Sequence, residues 1–279
     1  MITINGHTYT SGYTHGGKYH ADDICAAALL RLLDPVFPII RGFNPPMDDD
    51  SVLVFDIGGG EYDHHSEPKE LRENGTPYAA FGKLWRALAD QFGLTEIQQE
   101  IFDRNICCPV DYTDNTGRQN PFSELLGSTN PYWDESPSCG DSLFFAAVTM
   151  TQQLFSRWFG KYKAAARAEK LGEQLSAAAE EGVAVNEFYI PTSNFGENVK
   201  FFVHPSQRGG WQALSIRHGF DQILFPVQWR GRKDLPEGIT FCHTGGFIAC
   251  FTSKERAIEI CKSLVIADEV ESRESEKEA

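Results

Sequence analysis

The first 60 residues interleave short apolar runs with one unbroken helical stretch. In HTYTSGYTH (residues 7–15) β-forming side chains alternate with small and polar ones, which predicts a strand. ADDICAAALLRLL (21–33) is rich in Ala and Leu, has no breaker, and opens on two aspartates, where a helix N-terminus favours negative charge; it predicts a helix. FPIIRGF (37–43) predicts a second strand. SVLVFDIGGG (51–60) predicts a third, a short apolar run ending in an aspartate and three glycines, as buried parallel strands do. Strands separated by helices predict a parallel sheet with crossover connections.

Residues 76–107 follow a helical rhythm, with apolar positions at Phe81, Leu84, Trp85 and Leu88 and then at Ile97, Ile101 and Phe102. PVDYTDNTGRQNP (109–121) interrupts it with turn residues, and helix returns over 141–181, with Gly182 as the expected C-cap. Beyond that point the pattern shortens to strand-like pieces: NEFYIP, VKFFVHP, WQALSIR, QILFPVQW and GFIACFT. SKERAIEICKSLV (253–265) predicts a closing helix with Ser253 as N-cap. The expected class is α/β: an N-terminal domain (1–182) with a parallel sheet and helices on both faces, a smaller α+β domain (183–267), and an acidic disordered tail (268–279).

At 279 residues, 41% hydrophobic and 23% charged, the chain can bury a core without disulfide staples. No run reaches the roughly 18 apolar residues that span a bilayer, so no membrane partner is expected. The N-terminus shows no secretory pattern, and the seven cysteines form no CxxC pair, which together predict a reducing, cytoplasmic setting. The net charge of −14 argues against a basic nucleic-acid footprint. Part of that charge sits in the last twelve residues, and carboxylates awaiting divalent cations account for some of the rest.

Those carboxylates cluster with histidines. GYTHGGKYHADD (12–23) holds His15, His20, Asp22 and Asp23; VFDIGGGEYDHHSE (54–67) holds Asp56, Asp63, His64 and His65. His15 and Asp56 each follow a predicted strand, and ligands bind beyond the carboxyl ends of strands in open α/β sheets. Imidazoles and carboxylates without thiolate suit Mn²⁺, Fe²⁺ or Mg²⁺ better than structural zinc. The donors exceed one ion's needs, so two ions bridged by an aspartate are expected, a centre suited to phosphoester hydrolysis. Singly, Asp22 or Asp23 reads as well as a helix-start charge, and Asp56 as a turn residue.

The run THGGKYHADD, DIGGGEYDHH, VDYTDNTG, TNPYW and PVQWRG…HTGGFIACFTSKERAIE, spread over about residues 12–265, resembles the melanocyte-proliferating-gene (Myg) family of the DHH phosphoesterase superfamily. That superfamily includes manganese-dependent pyrophosphatases, RecJ-type exonucleases and nanoRNA or cyclic-dinucleotide phosphodiesterases, and eukaryotic Myg members are described as RNA exonucleases. The resemblance implies that the N-terminal domain is DHH-type and holds two Mn²⁺ ions, with Mg²⁺ or Fe²⁺ possible. It places His15 and His20 on one ion, Asp22 and His64 on the other, and Asp56 between them. It points His65 at the substrate phosphate, with Asp63 orienting an imidazole. TDNTG implies a last carboxylate from Asp114, with Asp111 as the alternative.

The sequence departs from the superfamily at His20, where an acidic residue is usual, and in the C-terminal domain, which has HTGGF in place of a GGGH run. His243, Gly245 and Gly246 stand as substrate contacts, against the plainer reading of a surface turn. Arg230, with Arg232 and Lys233, either grips a phosphate or solvates a loop. The expected function is a metal-dependent phosphohydrolase acting on RNA or short oligonucleotides from an end, with its site between the two domains. The alternatives are a small-molecule phosphatase, pyrophosphatase or dinucleotide hydrolase, and a metal-binding protein without turnover. Oligomeric state is not legible.

Overall fold

In the computed structural model, which describes residues 1–118 and 120–278, the N-terminal stretch forms two elements where one strand was expected. β1 (Ile2–Ile4) and β2 (His7–Tyr9) pair antiparallel, with Ile4 opposite His7. The turn between them is Asn5–Gly6, both at positive φ (50° and 82°), the conformation that a two-residue hairpin needs and that Asn-Gly adopts most readily. The chain then leaves this hairpin, and β3 (Ser11–His15) enters a separate three-stranded sheet.

That sheet is parallel, as expected. After α1 (Ala21–Leu33) come β4 (Ile39–Gly42) and β5 (Val52–Val54), and the strand order is β4-β3-β5. Gly12 lies opposite both Ile39 and Leu53, so the carboxyl ends of β3 and β5 share one edge. Every residue of α1 from Ala21 to Leu30 is buried, because small side chains let neighbours approach from all sides. Those neighbours include α2 (Ala80–Leu88), α4 (Cys108–Thr116) and α5 (Pro121–Gly127). Between α2 and α4 lies α3 (Glu96–Phe102), followed by a π-helical turn over Asp103–Cys107.

The turn expected over 109–121 is corrected: its first half is helix α4. Pro109 occupies the first turn, where a missing N–H is harmless, and Gly117 closes the helix at φ 71°. The intervening polar residues bond within the helix, as Asn115 Nδ2 does to the Asp111 carbonyl at 2.9 Å. An aromatic cluster then ties α2 and α3 to α6 (Gly140–Ala177), with Trp85–Phe102 ring centroids 4.5 Å apart and Phe102–Phe159 4.9 Å apart.

The chain divides into two compact units, Met1–Lys163 and Ala164–Ala279. In the second, β6 (Val183–Val185), β7 (Phe201–Pro205), β8 (Trp211–Ser215), β9 (Ile239–Cys242) and β10 (Ile248–Phe251) form a sheet of order β6-β7-β8-β10-β9. Only β6–β7 is parallel. Phe201, Val203, Ala213, Ala249 and Phe251 pack with Ala257, Ile260, Cys261 and Val265 of α7 (Lys254–Glu278); Phe202 and Leu214 join a separate cluster with Leu171 and Leu175.

NEFYIP and QILFPVQW are not strands. Pro191 and Pro226 withhold ladder donors, although Ile223 and Phe225 still bury their side chains. β1, β6 and β9 were not anticipated. Gly182, at φ 74°, is not a helix C-cap: α6 ends at Ala177, and Gly182 instead presents its carbonyl to Lys200 and Phe201. Ser253 does cap α7, accepting from Arg256 N at 3.2 Å. That helix continues to Glu278 through the acidic stretch where no fixed structure was expected; Arg273 faces Glu269 one turn back at 3.9 Å. Among the described residues no helix is long and apolar enough to cross a membrane.

At Gly82, α2 lies directly against α4: a Cβ there would overlap the Asp111 carboxylate and lie 2.5 Å from Arg72 Nη2. Gly82→Ala is expected to destabilise the fold by about 1–3 kcal/mol, the usual range for overpacking. Urea unfolding reads this as a lower midpoint; an unchanged midpoint contradicts the packing described.

Candidate metal centre

His15 is the last residue of β3, and Asp56 stands two residues past β5. Asp56 has φ 57°, a conformation that costs a non-glycine residue on the order of 1 kcal/mol or more. Its N–H donates to the Tyr62 carbonyl at 3.0 Å, which closes the glycine-rich loop between them. One carboxylate then meets two imidazoles: Oδ2 is 3.2 Å from His15 Nε2, and Oδ1 is 3.0 Å from His64 Nε2. His64 Nε2 is also 3.0 Å from Asp114 Oδ2 on α4, and His15 Nε2 is 3.2 Å from Asp23 Oδ2 at the start of α1.

Three sets of donors result, each with its ligand atoms within 4.8 Å of one another: His15, Asp23 and Asp56; Asp56, His64 and His65; Asp22, His64 and Asp114. Asp56 belongs to two of them. His20 belongs to none. It is half-exposed at the rim, with Nδ1 3.7 Å from Asp114 Oδ1 and its ring centroid 5.9 Å from that of His15.

Helix ends hold the carboxylates in place. Asp22 accepts from Ala80 N at 3.1 Å and from Phe81 N at 2.7 Å, so it satisfies the first N–H groups of α2 from outside that helix. Asp23 uses Oδ1 to accept from His20 N (2.8 Å) and Ile24 N (3.0 Å), and its buried Oδ2 has no hydrogen-bond donor. The helix-start reading of these aspartates therefore holds for one oxygen of Asp23, while its other oxygen joins the cluster. The loop before α1 is fixed by Arg41, which donates to the Gly17 carbonyl at 2.9 Å, and by Asn130, whose amide bonds both the N–H and the carbonyl of Tyr19 (3.0 and 2.8 Å). Asn130 lies in the TNPYW stretch, which gives that motif a physical role.

Asp111 serves elsewhere. It is fully buried, accepts from Gly82 N at 3.1 Å, and pairs with Arg72 at 2.7 Å; Arg72 in turn binds Asp103. Of the two aspartates on α4, the geometry brings Asp114 into the cluster.

The electrostatics are those of a cluster short of positive charge. Burial pushes the Asp22 carboxyl well up, and the nearby Asp56, Asp114 and Asp111 add to the effect. Burial likewise lifts Asp23 to about 7, against the pull of His15. Burial would lower both histidines, but hydrogen bonds and carboxylate charges outweigh it, raising His15 to about 9 and His64 to about 11. Asp56 moves the other way: its hydrogen bonds from His15 and His64 outweigh burial and hold it at about 2. Crowded buried carboxylates, an acceptor oxygen with no donor, and imidazoles without thiolate fit hard or borderline divalent cations. Asp56, His15 and Asp23 could hold one, and Asp56, His64, Asp22 and Asp114 another.

The cluster opens to solvent through two adjoining hollows of about 580 and 490 Å³, with His20, His65 and Lys18 in the walls of both. His65 Nδ1 sits 2.6 Å from Asp63 Oδ1, and Asp63 Oδ2 accepts from Gly59 N at 2.7 Å. Asp23 was counted with the clustered carboxylates but assigned to neither ion, and Lys18, Lys69, Asn115 and Asn130 were not singled out, although each lies inside or beside a motif quoted above. In the second unit, His243 Nδ1 accepts from Gly245 N at 2.9 Å, and Gly246 turns at φ 69° beside Arg230, whose Nε donates to the Phe225 carbonyl at 2.8 Å.

Fold and donor set together define the class: an α/β protein whose parallel sheet carries a candidate divalent-cation centre at its carboxyl edge. The chain belongs to the MYG1_exonuc family, described as "Uncharacterised protein family (UPF0160)", whose profile matches residues 13–265. It is 25% identical to a mouse protein named "MYG1 exonuclease" over 320 residues, 90% of this chain and 83% of that one. It is 26% identical to a MYG1 protein of Chlamydia pneumoniae (87% and 92% covered) and 25% identical to one of Schizosaccharomyces pombe (89% and 95%). No solved structure matches the chain.

His15 and His64 have pKa values raised above the ordinary 6.5, so what they add to metal-free stability is complete below pH 6.5 and is lost as pH climbs through about 9 and about 11. An incoming cation must displace those protons. Calorimetric titration of the stripped protein with Mn²⁺ at pH 7.5, in two buffers of different ionisation heat, should show proton release, and affinity should rise between pH 7 and 9. Buffer-independent heats would contradict the assignment of these histidines as ligands.

Proposed function

We propose that this chain is a metal-dependent phosphohydrolase of DHH type that cleaves phosphodiester bonds, acting on RNA or short oligonucleotides from an end. The observation that carries the reading is the Asp56 carboxylate spanning His15 and His64 at 3.2 and 3.0 Å, with further carboxylates on either side. The name "MYG1 exonuclease" borne by mammalian relatives supports the same class of reaction. When bound, two Mn²⁺ ions would supply the charge that activates water and neutralises the phosphate, with Mg²⁺ or Fe²⁺ as substitutes.

The chain's own residues do the rest. Asp63, fixed by the Gly59 N–H, accepts from His65 Nδ1–H and leaves Nε2 free in the hollow, where the doubly protonated ring donates to a phosphate oxygen. Lys18, in the wall of both hollows, adds positive charge for that phosphate. In this reading residues 1–182 carry catalysis and 183–267 carry substrate binding, with His243, Gly245, Gly246 and Arg230 as contacts. A second reading, hydrolysis of a small phosphate ester, pyrophosphate or a dinucleotide, is favoured by the size of the larger hollow, about 580 Å³, which suits a mononucleotide.

The test is to strip the protein, add Mn²⁺, and supply 5′- or 3′-labelled RNA beside pyrophosphate and a dinucleotide. Stepwise shortening of the RNA is expected; cleavage of the small substrates alone favours the second reading. Asp56→Ala and His64→Ala should each lower turnover about a thousandfold, since metal charge supplies several kcal/mol of transition-state stabilisation. Full activity in either would sink the site assignment. Asp63→Asn should cost about 10–100-fold, the usual effect of a residue that orients another group, while bound metal stays the same.

A further inference from the structure

The second unit contains a large cavity, about 830 Å³, that the reading above leaves unused. It lies on the sheet face opposite α7. Side chains on alternate strand positions point there, and the register lines four of them in a row across the sheet. His204 on β7 pairs with Gln212 on β8, Gln212 with Cys250 on β10, and Cys250 with Phe241 on β9. The segment Glu187–Tyr189 and the turn Ser206–Gly209 form further walls.

The walls combine three kinds of group. The first is aromatic: Phe188, Tyr189 and Phe241 are 59%, 56% and 44% exposed, an unusual concentration of solvated rings in one hollow. The second is a pair of polar groups with unfilled hydrogen-bonding capacity. His204 is 94% buried by its 6% exposure, and its Nδ1 is taken by the Pro205 carbonyl at 2.8 Å. Its Nε2 has only a 3.5 Å contact with Gln212 Nε2, too long to satisfy either atom. Phe202 and Tyr189 flank the imidazole, with ring centroids at 5.0 and 5.5 Å, and burial lowers its pKa, so it stands neutral with Nε2 as acceptor. The third is a cation: Arg208 makes no ion pair among the described residues, whereas the one acid in the wall, Glu187, is matched by Lys254 at 2.9 Å.

Flat rings for stacking, an amide and an imidazole acceptor for a base edge, and a guanidinium for phosphate are what a single-stranded nucleic acid requires. An apolar peptide would leave His204 and Gln212 unsatisfied, at a cost. We propose that this cavity binds unpaired bases of a single-stranded RNA, stacked on Phe241, Tyr189 and Phe188, with His204 and Gln212 at a base edge and Arg208 on the backbone. The proposal rests on the nuclease reading for its biological sense but not for its test. Phe241 lies edge-on to His243, ring centroids 6.4 Å apart, so one wall of the cavity neighbours a residue expected from sequence to touch substrate.

The experiment uses the full chain with EDTA present, so that no hydrolysis occurs, and a 5′-fluorescein decaribonucleotide followed by fluorescence anisotropy. Phe241→Ala and Tyr189→Ala should each weaken binding about five- to a hundredfold. With a single cation in the wall, affinity should depend weakly on salt, and Arg208→Gln should flatten the log–log slope by about 0.7. Thermal unfolding confirms that each variant is folded. Wild-type protein that does not bind the oligomer, or folded aromatic variants that bind as tightly as wild type, overturns the proposal. Manganese-dependent cleavage by the wild type is scored separately: its absence defeats the nuclease reading, while loss of RNA affinity in the variants still supports this site.

Discussion

The site depends on one carboxylate in a strained place. Asp56 leaves β5 at positive φ, and that conformation lets its two oxygens serve His15 from the neighbouring strand and His64 from the following loop. The parallel sheet supplies the two strand ends on one edge. The loop from Ile57 to Tyr62, closed by the Asp56 N–H, returns the chain so that His64 can reach back across it. A residue other than glycine holds such a conformation only where its surroundings over-determine it, and here they are hydrogen bonds on both carboxylate oxygens.

A second constraint sorts the acids. The first turn of α2 has no capping side chain of its own, and two aspartates from other helices supply its needs: Asp22 from α1 and Asp111 from α4. Asp111 is then neutralised by Arg72, which removes it from the cluster, while Asp22 has no guanidinium of its own, shares His64 with Asp56 and Asp114, and remains among those carboxylates. Two buried carboxylates with similar backbone duties thus differ in one partner, and that partner decides which of them is left wanting a metal. The acidic balance of the chain, −14, is in part the consequence of such positions.

Much of this was legible in the amino-acid order. The helix over Ala21–Leu33 and the parallel strands showed in periodicity, and the His and Asp spacing marked the cluster before any coordinates. What was missed has physical causes. Only the second strand of the Asn5–Gly6 hairpin fell within the alternating run read over 7–15, and its join to β3 hid the turn before it. Helix α4 was hidden because Asp, Asn and Thr are turn formers locally, and only tertiary packing between Pro109 and Gly117 makes them helical. Asp23 was counted in the cluster but given no ligand role, since spacing does not reveal that a carboxylate at a helix start has a second oxygen to spare. The row from His204 to Phe241 is invisible in sequence because its members come from four strands whose register only the fold defines.

The most direct test of the central claim is crystallographic. Crystals of the stripped protein, soaked in Mn²⁺ and measured at the manganese absorption edge, should show two anomalous peaks flanking the Asp56 carboxylate, about 3.5–4 Å apart as paired catalytic ions are. One peak should lie beside His15 and the other beside His64. A single peak away from Asp56, or no peak under saturating metal, would contradict the account.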